Sequence, residues 1–368
     1  MIIKFSDYDS KYRICILAKT ESVRDYLAEK NLNVVMFQND SIHFYPDDIS
    51  FQLNEKAKEQ LAGSDNFDVF EIDCLGNAYK YYNNQSVDNA ILITNQCNSN
   101  CVMCPTAESI RQRETNYSAD NLIEIIRHFP QDAPHITITG GEPFLLKKDI
   151  FKVFNYLKTN FDYSEYLLLT NGRAFCSKEY ANLFAENAPT NIILGIPVHG
   201  HNSEIHDSIT QAKDSFNQTI AGIKNLIARG ADIELRIVVS KMNADDLTLI
   251  SDLIISELKG IMCVKIIGLE MTGNAARNRD VVWIDYPTAF EKSKECIDNL
   301  IKAGIDVGIY NFPLCAVDKK YWNICEKSIS DYKIRYTDDC NNCKVKDACG
   351  GIFSGTIRLA NASVKPVR

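Results

Sequence analysis

From residue 90 onward, short apolar runs alternate with longer stretches whose apolar positions recur at the helical period. That alternation is the signature of successive βα units feeding a parallel sheet. The runs AILIT (90–94), HITIT (135–139), YLLLT (166–170), NIILGIPV (191–198), IELRIVVS (233–240) and CVKIIGL (263–269) read as strands. Between and after them, SADNLIEIIRHF (118–129), KDIFKVFNYLKTN (148–160), SKEYANLFAEN (177–187), FNQTIAGIKNLIARG (216–230), ADDLTLISDLIISEL (244–258) and PTAFEKSKECIDNLIKAG (287–304) read as helices. Ser118 and Asp120 suit an N-cap, and Gly230 and Gly304 stand where a C′ glycine ends a helix. Six units are two short of a closed eightfold barrel, and nothing after Gly304 reads as two more. The expectation is an α/β fold: a partial (β/α)6 TIM-like barrel over 89–305, with ligands at the carboxyl ends of its strands.

Residues 1–88 carry no repeated βα spacing. Their β-like runs YRICILA, NVVMF, SIHFYP and FDVFEID surround one helical stretch, SVRDYLAEKN, and predict a separate β-rich α+β domain. Residues 306–368 read as a small Cys-rich extension, with a frayed tail after Ala360.

The first ten positions include acidic and polar residues and lack the basic flank and long apolar run of a secretory signal. No apolar stretch approaches the ~20 residues that span a bilayer. A net charge of −8 supplies no basic field for nucleic acid. Thirteen cysteines without a secretion signal read as thiols or metal ligands in a reducing, cytoplasmic setting.

Three of them stand in CNSNCVMCP, as Cys97, Cys101 and Cys104, directly after the first barrel strand. Three thiolates hold an iron–sulfur cluster but leave one iron open, since a fully ligated [4Fe–4S] cluster takes four. Chance clustering is the competing explanation in so Cys-rich a chain. Structural zinc needs a fourth Cys or His, and the next histidine, His128, lies 24 residues past Cys104 behind a predicted helix. After the second strand, TITGGEPF places Gly140, Gly141, Glu142 and Pro143 at the same sheet edge. The glycines admit close backbone approach and the carboxylate suits an ammonium, though the same four residues also make an ordinary strand-to-helix turn.

Together the two motifs resemble the radical S-adenosylmethionine (radical SAM) superfamily over about residues 90–304. The resemblance implies that Cys97, Cys101 and Cys104 ligate a [4Fe–4S] cluster whose open iron chelates S-adenosylmethionine. It further implies that Met103 lies near the adenine and that Gly140, Gly141, Glu142 and Pro143 line the methionine ammonium site. Thr170 and Asn171 after the third strand, His199 after the fourth, Arg236 on the fifth and Met271 after the sixth match positions that contact the rest of that cofactor. Each also has a plainer reading, Asn171-Gly172 as a turn and Arg236 as half of an ion pair. The segment HGHNSEIHDSITQAKDSF resembles the same region of peptide- and cofactor-modifying members, and His206-Asp207 within it also suits a helix cap.

A second set, Cys315 in FPLCAVD and Cys340, Cys343 and Cys349 in CNNCKVKDACGG, resembles the twitch or SPASM-type extensions that hold an auxiliary [4Fe–4S] cluster. It has fewer cysteines than a full SPASM pattern. Zinc fits the C-x2-C spacing equally well, and Cys325 is an alternate ligand. Cys15, Cys74, Cys176, Cys263 and Cys296 fall in apolar patterns and read as core thiols. As a whole the chain most resembles the maturases of the His-Xaa-Ser peptide system, through its short N-terminal domain, the PLC segment and the terminal CGGIF.

The function implied is reductive cleavage of S-adenosylmethionine to a 5′-deoxyadenosyl radical that takes hydrogen from a ribosomally made peptide, with a flavodoxin or ferredoxin as reductant. A small-metabolite substrate, activation of another enzyme, and a zinc- or cluster-stabilised binding scaffold without catalysis are the alternatives.

Overall fold

The computed structural model describes residues 2–5, 7–38, 40–87, 89–112, 117–360 and 363–368. The N-terminal region is a seven-stranded sheet of β1 (Ile2–Lys4), β2 (Arg13–Leu17), β3 (Val34–Gln38), β4 (Ser41–Tyr45), β5 (Ile49–Gln52), β6 (Val69–Ile72) and β7 (Asn77–Tyr82). Its spatial order is β1-β7-β6-β2-β3-β4-β5. Every neighbouring pair is antiparallel except β2–β3. A parallel pair needs a crossover, and helix Glu21–Glu29, capped by Thr20, supplies it.

The second sheet is wholly parallel, in the order β15-β14-β13-β12-β11-β10-β9-β8. Its strands are β8 (Asn89–Leu92), β9 (His135–Thr139), β10 (Glu165–Leu169), β11 (Ile192–Pro197), β12 (Asp232–Val239), β13 (Cys263–Gly268), β14 (Asp306–Tyr310) and β15 (Cys325–Glu326). The parallel βα core foreseen from periodicity is present, and the sheet runs two strands farther than periodicity indicates. Strand β14 pairs with β13 and carries β15 in turn, so the sheet continues past residue 305 into the Cys-rich region. Asp306 and Gly308 break the apolar run of β14, and a two-residue β15 has no period to detect. Gly308 lets the Glu326 and Lys265 side chains pack over it, since a Cβ would sit 2.6 Å from Glu326 Oε1 and 2.8 Å from Lys265 Nζ.

Side-chain alternation divides the parallel sheet into two faces. On β12, Ile233, Leu235, Ile237 and Val239 are fully buried and join the helices in one core cluster with Leu122, Phe154, Leu226, Ile250 and Ile297. Glu234, Arg236 and Val238 project from the other face, where Lys265 and Tyr310 also lie. That face is polar: Arg236 Nε is 3.2 Å from Glu234 Oε1 and Lys265 Nζ is 2.8 Å from Glu326 Oε1.

The N-terminal sheet is docked rather than tethered. Ile14, Ile16 and Tyr82 belong to the same core cluster as the barrel helices, and Tyr82 packs on Phe129 with ring centroids 4.9 Å apart. Buried Glu71 accepts from Tyr12 Oη at 2.8 Å and from Tyr117 Oη at 2.9 Å, tying the sheet to the segment that enters helix Ala119–Arg127. The tail also departs from the frayed reading: Val364 is buried and Val367 N donates to Cys343 Sγ at 3.4 Å. Residues 361–362 lie outside the described part. Among the described residues no helix is long and apolar enough to cross a membrane.

An aromatic cluster underpins the turn after β9. Phe144 packs edge-on against Phe175, with centroids 4.6 Å apart, and Phe175 meets Phe184 at 5.4 Å. Phe175 is fully buried. Phe175→Ala is therefore expected to cost about 3–5 kcal/mol, measured as a lowered urea midpoint at unchanged m. A loss below about 1 kcal/mol would mean that the cluster collapses to fill the void.

Candidate functional site

The cysteine loop is largely polar, with Val102 and Met103 its apolar anchors, and much of its shape comes from hydrogen bonds to its neighbours. Its root is fixed by β9: Gly141 N donates to Thr94 O at 2.7 Å and Glu142 N to Gln96 O at 2.8 Å. A Cβ on Gly140 would sit 2.5 Å from Thr94 O, and one on Gly141 would sit 2.0 Å from Gln96 O. The glycine pair therefore serves the approach of two backbones. Farther along, Asn100 N and Val102 N donate to Thr210 O and Ile209 O, both at 2.9 Å. Asn274 Nδ2 donates to Cys101 O at 3.1 Å, Asn274 N to Cys104 O at 2.9 Å, and Asn278 Nδ2 to Val102 O at 2.9 Å. Gly273, at φ +54°, lets this clamp close, since a Cβ there would sit 2.3 Å from Pro105 O.

Glu142 is 1 % exposed and already partnered. Its Oε1 accepts from Phe144 N at 3.1 Å and Thr170 Oγ1 at 2.8 Å, and its Oε2 from Asn171 N at 2.7 Å. Burial raises its pKa while the three donors oppose that shift. The carboxylate offered to an ammonium by the sequence thus joins the ends of β9 and β10 inside the protein. Asn171 Nδ2 then reaches Asn98 Oδ1 at 2.7 Å, and Arg173 Nη1 reaches Asn98 O at 2.7 Å.

The thiols of Cys97, Cys101 and Cys104 are half-buried and close enough to perturb one another. Burial pushes the Cys101 thiol up to about 12, the other two thiols add to that, and Arg111 opposes it. Cys101, Met103 and Cys104 share a cavity of about 290 Å³ with His199, Glu270 and Asn311, at the carboxyl ends of the parallel strands.

His199 is buried, and its Nδ1 has no hydrogen-bond partner. Desolvation, reinforced by His206, lowers its pKa to about 3, so the ring is neutral at physiological pH. Its backbone N–H donates to His206 Nδ1 at 3.2 Å, and the two rings stack with centroids 5.6 Å apart. Asp207 is a helix cap: it accepts from Asp214 N, Ser215 Oγ and Phe216 N at 2.7, 2.7 and 2.8 Å.

Two residues expected near the cofactor lie away from the cavity. Arg236 sits two positions deeper in β12 than Val238, which lines it, and pairs with Glu234. Met271 is buried behind the loop with Met103, Leu269 and Ile209, and its N–H donates to Thr356 Oγ1 at 3.0 Å. Thr170 bonds to Glu142, whereas Asn171 bonds both to Glu142 and directly to Asn98 of the loop. Arg111, Arg173, Asn274 and Asn278, which shape the loop, carried no signal beyond polarity.

The second set is brought together from three segments. Cys315, Cys340, Cys343 and Cys349 line one cavity, closed on one side by Val364, Lys365 and Pro366. Cys349 Sγ accepts from Leu314 N and Gly351 N at 3.4 Å, Cys343 Sγ accepts from Val367 N at 3.4 Å, and Cys340 Sγ lies 3.3 Å from Thr337 Oγ1. The Lys365 backbone bonds to Cys315, whose thiol burial pushes up to about 11. Cys325 is outside this cavity and donates to Tyr321 O at 3.5 Å. Among the described residues no three His, Cys, Asp or Glu side chains are placed to hold one metal ion.

Residues 91–254 match the family model described as the radical SAM superfamily. The chain is 27 % identical over 204 residues to the AdoMet-dependent heme synthase of Methanosarcina barkeri, covering 53 % of this chain and 54 % of that protein. It is 29 % identical over 157 residues to the antilisterial bacteriocin subtilosin biosynthesis protein AlbA of Bacillus subtilis, covering 41 % of this chain and 33 % of AlbA. It thus spans about half of the first relative and a third of the second. The crystal structure of SuiB from Streptococcus suis superposes with a TM-score of 0.50 at 15 % identity, over 72 % of this chain and 56 % of that one, a likeness of fold. The matched segment opens on β8 and contains the cysteine loop, the glycine pair and His199: residues 91–254 of the chain carry a radical SAM domain.

Proposed function

We propose that the chain is a radical SAM enzyme acting on a ribosomally made peptide. The observation that carries the reading is the placement of Cys101, Cys104 and neutral His199 around one cavity, with the loop clamped from four sides. Three thiols from a single loop are the donor set of a [4Fe–4S] cluster with one open iron, and the cavity beside them opens at the carboxyl ends of the strands, where α/β folds bind ligands. S-adenosylmethionine bound there supplies a 5′-deoxyadenosyl radical on one-electron reduction by a flavodoxin or ferredoxin, and that radical takes hydrogen from substrate. The chain's own residues position and shield. Met103 and Leu269 give the cavity apolar walls, and His199, uncharged, presents a hydrogen-bonding ring without competing for a proton.

Cys315, Cys340, Cys343 and Cys349 fit an auxiliary [4Fe–4S] cluster, because they surround a cavity and their sulfurs have N–H or hydroxyl partners, the surroundings that tune such clusters. In this reading residues 1–88 recognise the peptide, 89–305 perform the radical step, and 306–368 hold the auxiliary cluster. The edges of the N-terminal sheet, β1 and β5, suit strand addition by an extended peptide. The likeness to AlbA, named for bacteriocin biosynthesis, supports a peptide. The likeness to a heme synthase supports a second reading, a small-molecule substrate.

Anaerobic reconstitution is expected to load about eight irons per chain, falling to about four in Cys97→Ala/Cys101→Ala/Cys104→Ala. Stoichiometric zinc with no iron would reject the enzyme. Deleting residues 364–368 removes the Lys365 and Val367 donors and is expected to release about four irons while the first set stays loaded; full retention would show that the tail is dispensable. Mass spectrometry of small peptides co-expressed with the enzyme is expected to reveal a mass change. Turnover of a metabolite, with every peptide unchanged, would establish the second reading.

A further inference from the structure

Arg111 closes the short helix Glu108–Arg111 immediately after the cysteine loop, and its side chain turns back into that loop. It is 7 % exposed. Nη1 donates to Ser99 O at 2.8 Å, Nε to Thr106 O at 3.3 Å, and Nη2 to Asn100 Oδ1. All three acceptors are neutral. The nearby carboxylate of Glu108 is turned to Asn100 Nδ2 and Gln112 Nε2 instead, and among the described residues no carboxylate forms an ion pair with Arg111.

A buried guanidinium without an anion is costly, because neutral carbonyls do not restore what water gave it. Among the described residues no carboxylate supplies that anion, and the thiols of the loop that the fork grips are the candidates for it. Ser99 and Asn100 lie between Cys97 and Cys101, so the fork grips the arch that carries the first two thiols, and both thiols sense the charge on Arg111. Three thiolates around a cluster supply the negative charge that the described side chains do not.

We propose that Arg111 is the internal counter-ion of the first cysteine set, raising the reduction potential of the cluster held there while fixing the Ser99–Asn100 arch. The inference rests on the cluster reading above. A fixed positive charge favours the reduced, more negative state of a cluster, since potential follows net charge, hydrogen bonding and exposure. Lysine keeps the charge but lacks the planar fork, whereas glutamine keeps part of the hydrogen bonding without the charge. The two substitutions therefore separate electrostatics from shape.

The test uses the full-length, anaerobically reconstituted protein and two readouts other than turnover: iron content, and the midpoint potential of the EPR signal that S-adenosylmethionine perturbs. Arg111→Gln is expected to give a more negative midpoint than wild type, and Arg111→Lys a midpoint near wild type. Iron lost from the Gln variant but kept by the Lys variant is the same counter-ion effect in stronger form and also supports the assignment. Equal midpoints for wild type and Arg111→Gln at full iron, or iron lost from both variants alike, overturn it. A wild-type chain that takes up no iron overturns the cluster reading, and this assignment with it.

Discussion

Everything at the candidate site depends on two backbones meeting at the ends of β8 and β9. At Gly141 the space a Cβ would need is filled by Gln96 O, only 2.0 Å away, and the resulting hydrogen bonds hand the geometry of the sheet to the cysteine loop. A strand end within a buried parallel sheet is among the stiffest places in a protein, so the thiols are carried by a rigid support although they sit on a loop. Glu142 extends that support sideways by tying the β9 turn to Thr170 and Asn171. A motif readable as a ligand contact thus acts first as a weld between strands.

The second layer of support is polar and drawn from distant sequence. Asn274 and Asn278 come from after β13, Arg173 from after β10, and Ile209 and Thr210 from after β11; each satisfies a backbone or side-chain group of the loop. Such groups cost little while paired and about 1–3 kcal/mol each when buried without a partner. The loop is consequently ordered only if several βα connections are in place together, which couples the order of the site to completion of the barrel.

This explains what was legible in the chain beforehand. Apolar period locates β8 to β13 and their helices, because burial against helices imposes it, and cysteine spacing locates both thiol sets. Period says nothing of β14, whose apolar run Asp306 and Gly308 interrupt, or of β15, with only two residues. Arg236 and Met271 were placed by register along a strand, and register does not tell depth: Arg236 proves to lie below the cavity with Glu234, and Met271 behind the loop. The clamp of Asn and Arg side chains has no period and no spacing, so only the folded geometry exposes it. The tail looked frayed because its composition is that of a loose end, whereas two of its backbone groups bond to cysteine sulfurs.

The two thiol sets differ in a way that follows from how each is built. The first comes from one loop of eight residues, and one loop approaches a cluster from one side only; its far side is the cavity with His199 and Glu270. The second gathers Cys315 before β15, Cys340, Cys343 and Cys349 beyond it, and the closing tail, so it is surrounded by chain and its sulfurs have donors of their own. The first set has a cavity beside it, whereas the second has the tail residues 364–366 along its own. In the proposed function the first set is accordingly the place for chemistry on a bound molecule. In the same proposal the second, flanked by residues 364–366, is suited to holding a fully ligated centre.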